Sequence, residues 1–109
     1  MQSAVYDQIN NRVLMFGGST RDNGAQTYIK LGDLWELSNA NGQGGAPVWT
    51  QLIQAGDLPG VRYSSGVAFD RANQRLMVVG GIDGNDQLTN RVWVLSFNRA
   101  PAAVCQNVI

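Results

Sequence analysis

The sequence predicts an all-β chain, and three observations predict it. Thirteen glycines, with clusters of Asn and Asp between them, cut the 109 residues into short apolar runs of strand length. No stretch sustains the 3.6-residue period of an amphipathic helix. One strand–loop–strand segment of the first half recurs in the second half at a constant offset, the mark of a repeat architecture.

The runs lie at residues 4–6, 13–16, 34–37, 48–52, 66–69, 76–79 and 92–97, and they are rich in Val, Leu, Phe, Tyr and Trp. They predict seven or eight short antiparallel strands and no helix longer than about two turns. Residues 13–16 (Val-Leu-Met-Phe) and 76–79 (Leu-Met-Val-Val) are continuously apolar rather than alternating. A strand of that kind is expected to be covered on both faces.

The repeat is read directly. Residues 4–18 align with residues 67–81 at an offset of 63, pairing Tyr6 with Phe69, Asp7 with Asp70, Asn10 with Asn73, Arg12 with Arg75, and Gly17-Gly18 with Gly80-Gly81. Residues 32–37 align with residues 90–95 at an offset of 58, pairing Trp35 with Trp93. The change of offset is one difference in loop length between glycine pair and tryptophan, which places an exposed loop there. Each copy therefore reads as strand, tight loop, strand, long loop, strand. In residues 7–12 and 70–75, Asp and Asn are suited to cap backbone groups and to accept left-handed φ. The glycine pairs allow a sharp turn, or the close approach of another backbone. Arg12 and Arg75 are placed to lay their stems over the sheet or to pair with carboxylates.

The glycine doublet after a strand, followed by Trp 17 residues later in the first copy and 12 in the second, resembles the kelch repeat. Trp49-Thr50-Gln51-Leu52, then Pro59-Gly60-Val61-Arg62-Tyr63-Ser64, is similar to the lead-in of a further repeat. The resemblance covers nearly the whole chain. It implies two four-stranded antiparallel kelch-type propeller blades, a partial β-propeller. Residues 1–52 are the first blade, 53–63 the connection, and 64–109 a second blade whose last strand is atypical. It further implies that Gly17, Gly18, Trp35, Gly80, Gly81 and Trp93 are structural repeat residues, with both tryptophans filling the space between sheets. Met1 falls opposite Ser64, so the Pro-x-x-Arg lead-in has no counterpart in the first copy. Closing a propeller takes about four to eight blades, so either these blades belong to a longer propeller or copies of the chain assemble.

Composition removes several function classes. Eight basic and eight acidic residues give zero net charge, without the basic stripe that nucleic-acid binding needs. No apolar run approaches the roughly 20 residues of a membrane-spanning helix, so no membrane partner is expected. There is no histidine and a single cysteine, Cys105. This excludes an internal disulfide and imidazole catalysis, and leaves no Cys/His metal site. No cofactor or metal is expected. Asp83-Gly84-Asn85-Asp86 lacks the later Glu of a calcium loop and reads as a polar turn. Cys105 reads as an inert buried thiol, with no cationic neighbour in sequence.

Three functions compete. The first is a non-catalytic module for protein–protein interaction or scaffolding, with residues 20–30 and 81–88 as recognition loops and further copies of the chain as partners. The second is a carbohydrate-binding propeller, which exposed rings at Tyr28, Trp49 and Tyr63 would favour; with Arg62 these three are the candidate binding residues. The third is a propeller piece of a larger enzyme resembling galactose oxidase, whose copper ligands include His. This chain has none, so it is expected not to be an enzyme by itself. The Lys-poor, Asn- and Gly-rich loops resemble those of bacterial secreted or surface proteins, although residues 1–4 carry no secretory signal.

Overall fold

Each apolar run becomes a strand in the computed structural model, which describes residues 2–21, 24, 28–97 and 103–109, the side chains of Arg21 and Tyr28 excepted. In chain order the strands are β1 (Ser3–Asp7), β2 (Arg12–Arg21), β3 (Tyr28–Ser38), β4 (Val48–Leu52), β5 (Gln54–Gly56), β6 (Arg62–Tyr63), β7 (Gly66–Asp70), β8 (Arg75–Val79), β9 (Ile82–Asp83), β10 (Val92–Ser96) and β11 (Ala103–Asn107). No helix forms among the described residues. The fold is all-β.

The first sheet is a four-stranded antiparallel meander in the order β1-β2-β3-β4. The second sheet repeats that meander as β7-β8-β10-β11. It departs from the expected four antiparallel strands at its edge, where β5 adds a fifth strand parallel to β11. Residues 53–63 are therefore more than a connection. Gln54-Ala55-Gly56 covers the outer edge of β11 from Ala103 to Cys105, shortening the row of backbone groups that an edge strand would otherwise leave open. The segment then crosses to pair β6 with β9.

The two sheets stack face to face, and period-2 alternation decides which side chains meet. From the first sheet, Leu14, Phe16 and Leu34 point inward. From the second come Leu76, Val78, Trp93, Leu95, Ala103 and Cys105, all buried. Burying each of the larger side chains contributes about 1.5–3 kcal/mol. Val5, Leu52, Val67, Phe69 and Phe97 close the margins.

Two devices set the ends of the strands. At one end, each hairpin is held by its Asp. Asp7 accepts from the amides of Ile9 and Asn10 at 3.1 and 3.4 Å and from the Asn10 side chain at 2.8 Å. Asp70 accepts from the amide and side chain of Asn73 at 3.3 and 2.8 Å. Asn11 and Gln74 close the two turns with φ of 48° and 53°. At the other end lie the glycine pairs. Gly17 and Gly80 both have φ of +63°, and a Cβ on Gly17 would sit 2.7 Å from the Arg62 carbonyl oxygen. Both expected uses of glycine, turn and close approach, apply at Gly17. The pair does not end β2, however. The strand kinks at a register shift between Phe16 and Gly18 and continues to Arg21, paired with β3. β8, by contrast, stops at Val79.

Candidate functional site

Arg62 sits at the glycine end of the sheet stack and, at 4% exposure, is more enclosed than Trp49 or Tyr63. Its guanidinium lies 4.4 Å from the ring centroid of Trp93. It donates to the carbonyls of Pro59 at 2.5 Å and Gly80 at 3.3 Å, while Nε has no partner among the described residues. Burial pulls its pKa down, opposed by the charge of Asp83. Arg62 is thus a packing element that ties β6 to the core tryptophan. Tyr63 beside it is half-buried and pairs with Ile82.

Trp49 is 49% exposed, in register with Leu37 and so one residue from the hairpin end of the first sheet. Tyr63 belongs to the opposite, glycine end. The two rings do not form one platform for a sugar, and the side chain of Tyr28 lies outside the described residues. Of the two recognition loops, residues 22, 23 and 25–27 also lie outside them. Lys30 bridges the remainder, pairing with Asp86 at 2.6 Å and donating to the Gly84 carbonyl at 3.3 Å. Asp83 folds its own turn by accepting from the amides of Asn85 and Gln87 at 2.9 and 3.0 Å, which lowers its pKa.

A recess of about 300 Å³ opens between the sheets at the hairpin end, lined by Asn10, Arg12, Glu36, Ser38, Gln74 and Phe97. Arg12 organises it. It pairs with Asp7 and Glu36, each at 2.9 Å, donates to Gln74 across the stack at 2.9 Å, and lies 5.0 Å from the Phe97 centroid. The sequence singled out Arg12 for pairing with carboxylates, and both partners are now visible. Burial works to raise the pKa of Asp7, but the hydrogen bonds from Asn10 and Arg12 outweigh it and hold the carboxyl below its ordinary range. Asp7 is fully enclosed.

The carboxylates whose pKa shifts, Asp7, Asp70 and Asp83, all shift downward. Burial pushes the Cys105 thiol up to about 11. Among the described residues no group of three or more His, Cys, Asp or Glu side chains could hold a metal ion.

Trp35, for which the resemblance implies packing between sheets, lies half-buried on the outer face of the first sheet within this chain, its Nε1 donating to Asp33 at 2.6 Å. Register puts Tyr6, Val13, Met15, Leu37 and Trp49 on that same face, and no strand of the described residues stacks on it. On the opposite outer face, of the second sheet, stand Met77, Val79 and Val92, with Val79 45% exposed. Both ends of the stack are apolar. No protein-family model matches the chain, and no curated protein matches it.

Proposed function

We propose that the chain is a non-catalytic pair of kelch-type propeller blades, an interaction or scaffolding module that associates with further blades, its own copies included. One observation carries this reading: each sheet is covered on one face, while its other face holds contiguous large apolar side chains. Patches of that kind mark interaction surfaces in soluble proteins. The glycine pairs, the repeated hairpins and the repeated tryptophans support the kelch reading of the sheets. Repeat units draw much of their stability from neighbours, and a pair has only one such interface. Light scattering over a dilution series tests the proposal. An oligomer that dissociates on dilution is the expected result, and a folded monomer persisting at high concentration overturns it.

A further inference from the structure

The outer face of the first sheet corresponds, through the repeat, to the buried face of the second. Tyr6, Val13 and Met15 map onto Phe69, Leu76 and Val78 at the offset of 63, and Trp35 and Leu37 map onto Trp93 and Leu95 at the offset of 58. Strand register adds Trp49, opposite Leu37 as Cys105 is opposite Leu95. Each of these counterparts belongs to the core or packs against it. The converse also holds. Met77, Val79 and Val92, on the outer face of the second sheet, map onto Leu14, Phe16 and Leu34, which are buried. The two uncovered faces are therefore the two halves of an interface that the chain already forms once within itself.

From this correspondence, and resting on the association proposed above, we propose that copies join head to tail. The outer face of the second sheet of one copy covers the outer face of the first sheet of the next, repeating the internal contact and covering Trp35 as Trp93 is covered. The occupant of each face is a second copy of this chain. Such a heterologous contact propagates, into a ring where its rotation closes and into an open stack where it does not, whereas a two-fold dimer would pair like face with like. Polar groups at the margin follow the same rule. Within the chain, Asn10 and Arg12 donate across the stack to Gln74, at 2.8 and 2.9 Å. Between copies, their counterparts Asn73 and Arg75 meet Asn11, the counterpart of Gln74.

Two experiments on the full chain test the direction of the contact. Tyr6→Arg/Trp49→Arg charges one outer face and Val79→Arg the other, all at exposed positions. Each variant alone is expected to be a folded monomer by circular dichroism and light scattering, and an equal mixture is expected to double in mass, because each retains the face that the other lacks. A Val79→Arg variant that remains a dimer, or a mixture that stays monomeric while the wild type associates, overturns the head-to-tail contact. A monomeric wild type instead overturns the association itself. The second experiment leaves the apolar faces intact. Oxidised Asn11→Cys/Asn73→Cys chains are expected to form a disulfide-linked ladder or ring, and neither single variant is. Cross-linked dimers in a single variant, or none in the double variant of an associating chain, overturn the proposal.

Discussion

Trp35 and Trp93 occupy the same place in two copies of one repeat, yet Trp93 is 6% exposed within the stack while Trp35 lies half-buried outside it. Their hydrogen bonds differ accordingly: Trp93 Nε1 donates to the Asp57 backbone at 3.1 Å, and Trp35 Nε1 to the nearby Asp33 side chain. At the hairpin end the asymmetry runs the other way. Asp7 and Arg12 are enclosed, while Arg75, the counterpart of Arg12, is exposed. Equivalent sequence does not confer equivalent burial. The inner face of one sheet is the counterpart of the outer face of the other, so each repeat position is covered in only one copy.

The largest expected effect is at the tryptophans. Trp93→Ala is expected to cost roughly 3–5 kcal/mol, as for other buried aromatic truncations. Trp35→Ala, made in the Val79→Arg background that isolates the monomer, is expected to cost less than half as much. Urea denaturation of both measures the difference, and equal losses would mean that Trp35 is covered within a single chain. Asp7→Ala follows. It leaves buried donors unpaired and removes one carboxylate of Arg12, a loss of about 2–3 kcal/mol, whereas Asp70→Ala is expected to lose a small part of that.

The glycine end sharpens the comparison between strain and contact. Gly17 and Gly42 both have positive φ, but a Cβ on Gly42 would meet nothing within 4 Å. Gly42→Ala is expected to show the conformational cost alone, about 1–2 kcal/mol. Gly17→Ala is expected to exceed it by about as much again, because the Arg62 backbone must move. Equal losses in thermal melts would show that the close approach carries no cost.

Acid unfolding comes next in size. The folded chain holds Asp7 below the ordinary carboxylate pKa of about 3.9, so the unfolded chain takes up this proton first. The stability that Asp7 supplies is complete above that value and is lost as the pH falls through the lower folded one. Asp7→Asn is expected to flatten this part of the stability–pH curve, and an unchanged acid limb would assign the dependence to other groups. The smallest effect concerns Cys105. With its thiol buried and its pKa raised to about 11, a maleimide is expected to react no faster than the protein opens. Rapid labelling of the native chain would place this edge of the second sheet in solvent.

Six of the seven strands were legible because each is a short apolar run with Gly, Asn or Asp at one end at least, and the seventh, residues 48–52, because Val, Trp, Thr and Leu favour a strand after Pro47. The hairpins were legible because Asp three residues before Asn is a local device, complete within one turn. β5 was not legible. Gln54-Ala55-Gly56 has neither apolar pattern nor length, and it is a strand only because the edge of β11 lies beside it. Arg62 was noticed as a residue able to bind. Its guanidinium is instead packed on Trp93, 31 positions later, and nothing local to Arg62 announces that distant partner.

By itself, then, the sequence determined what local forces control: strand positions, turn chemistry, the glycine kinks and the existence of two equivalent units. Tertiary structure alone decided which face of each unit is covered. Alternation makes both faces of β2 and β8 apolar, so the strands themselves express no preference for one side. The choice falls to where the other sheet stacks, and that one placement buries Trp93, Asp7 and Cys105 while leaving Tyr6, Trp49 and Val79 turned outward.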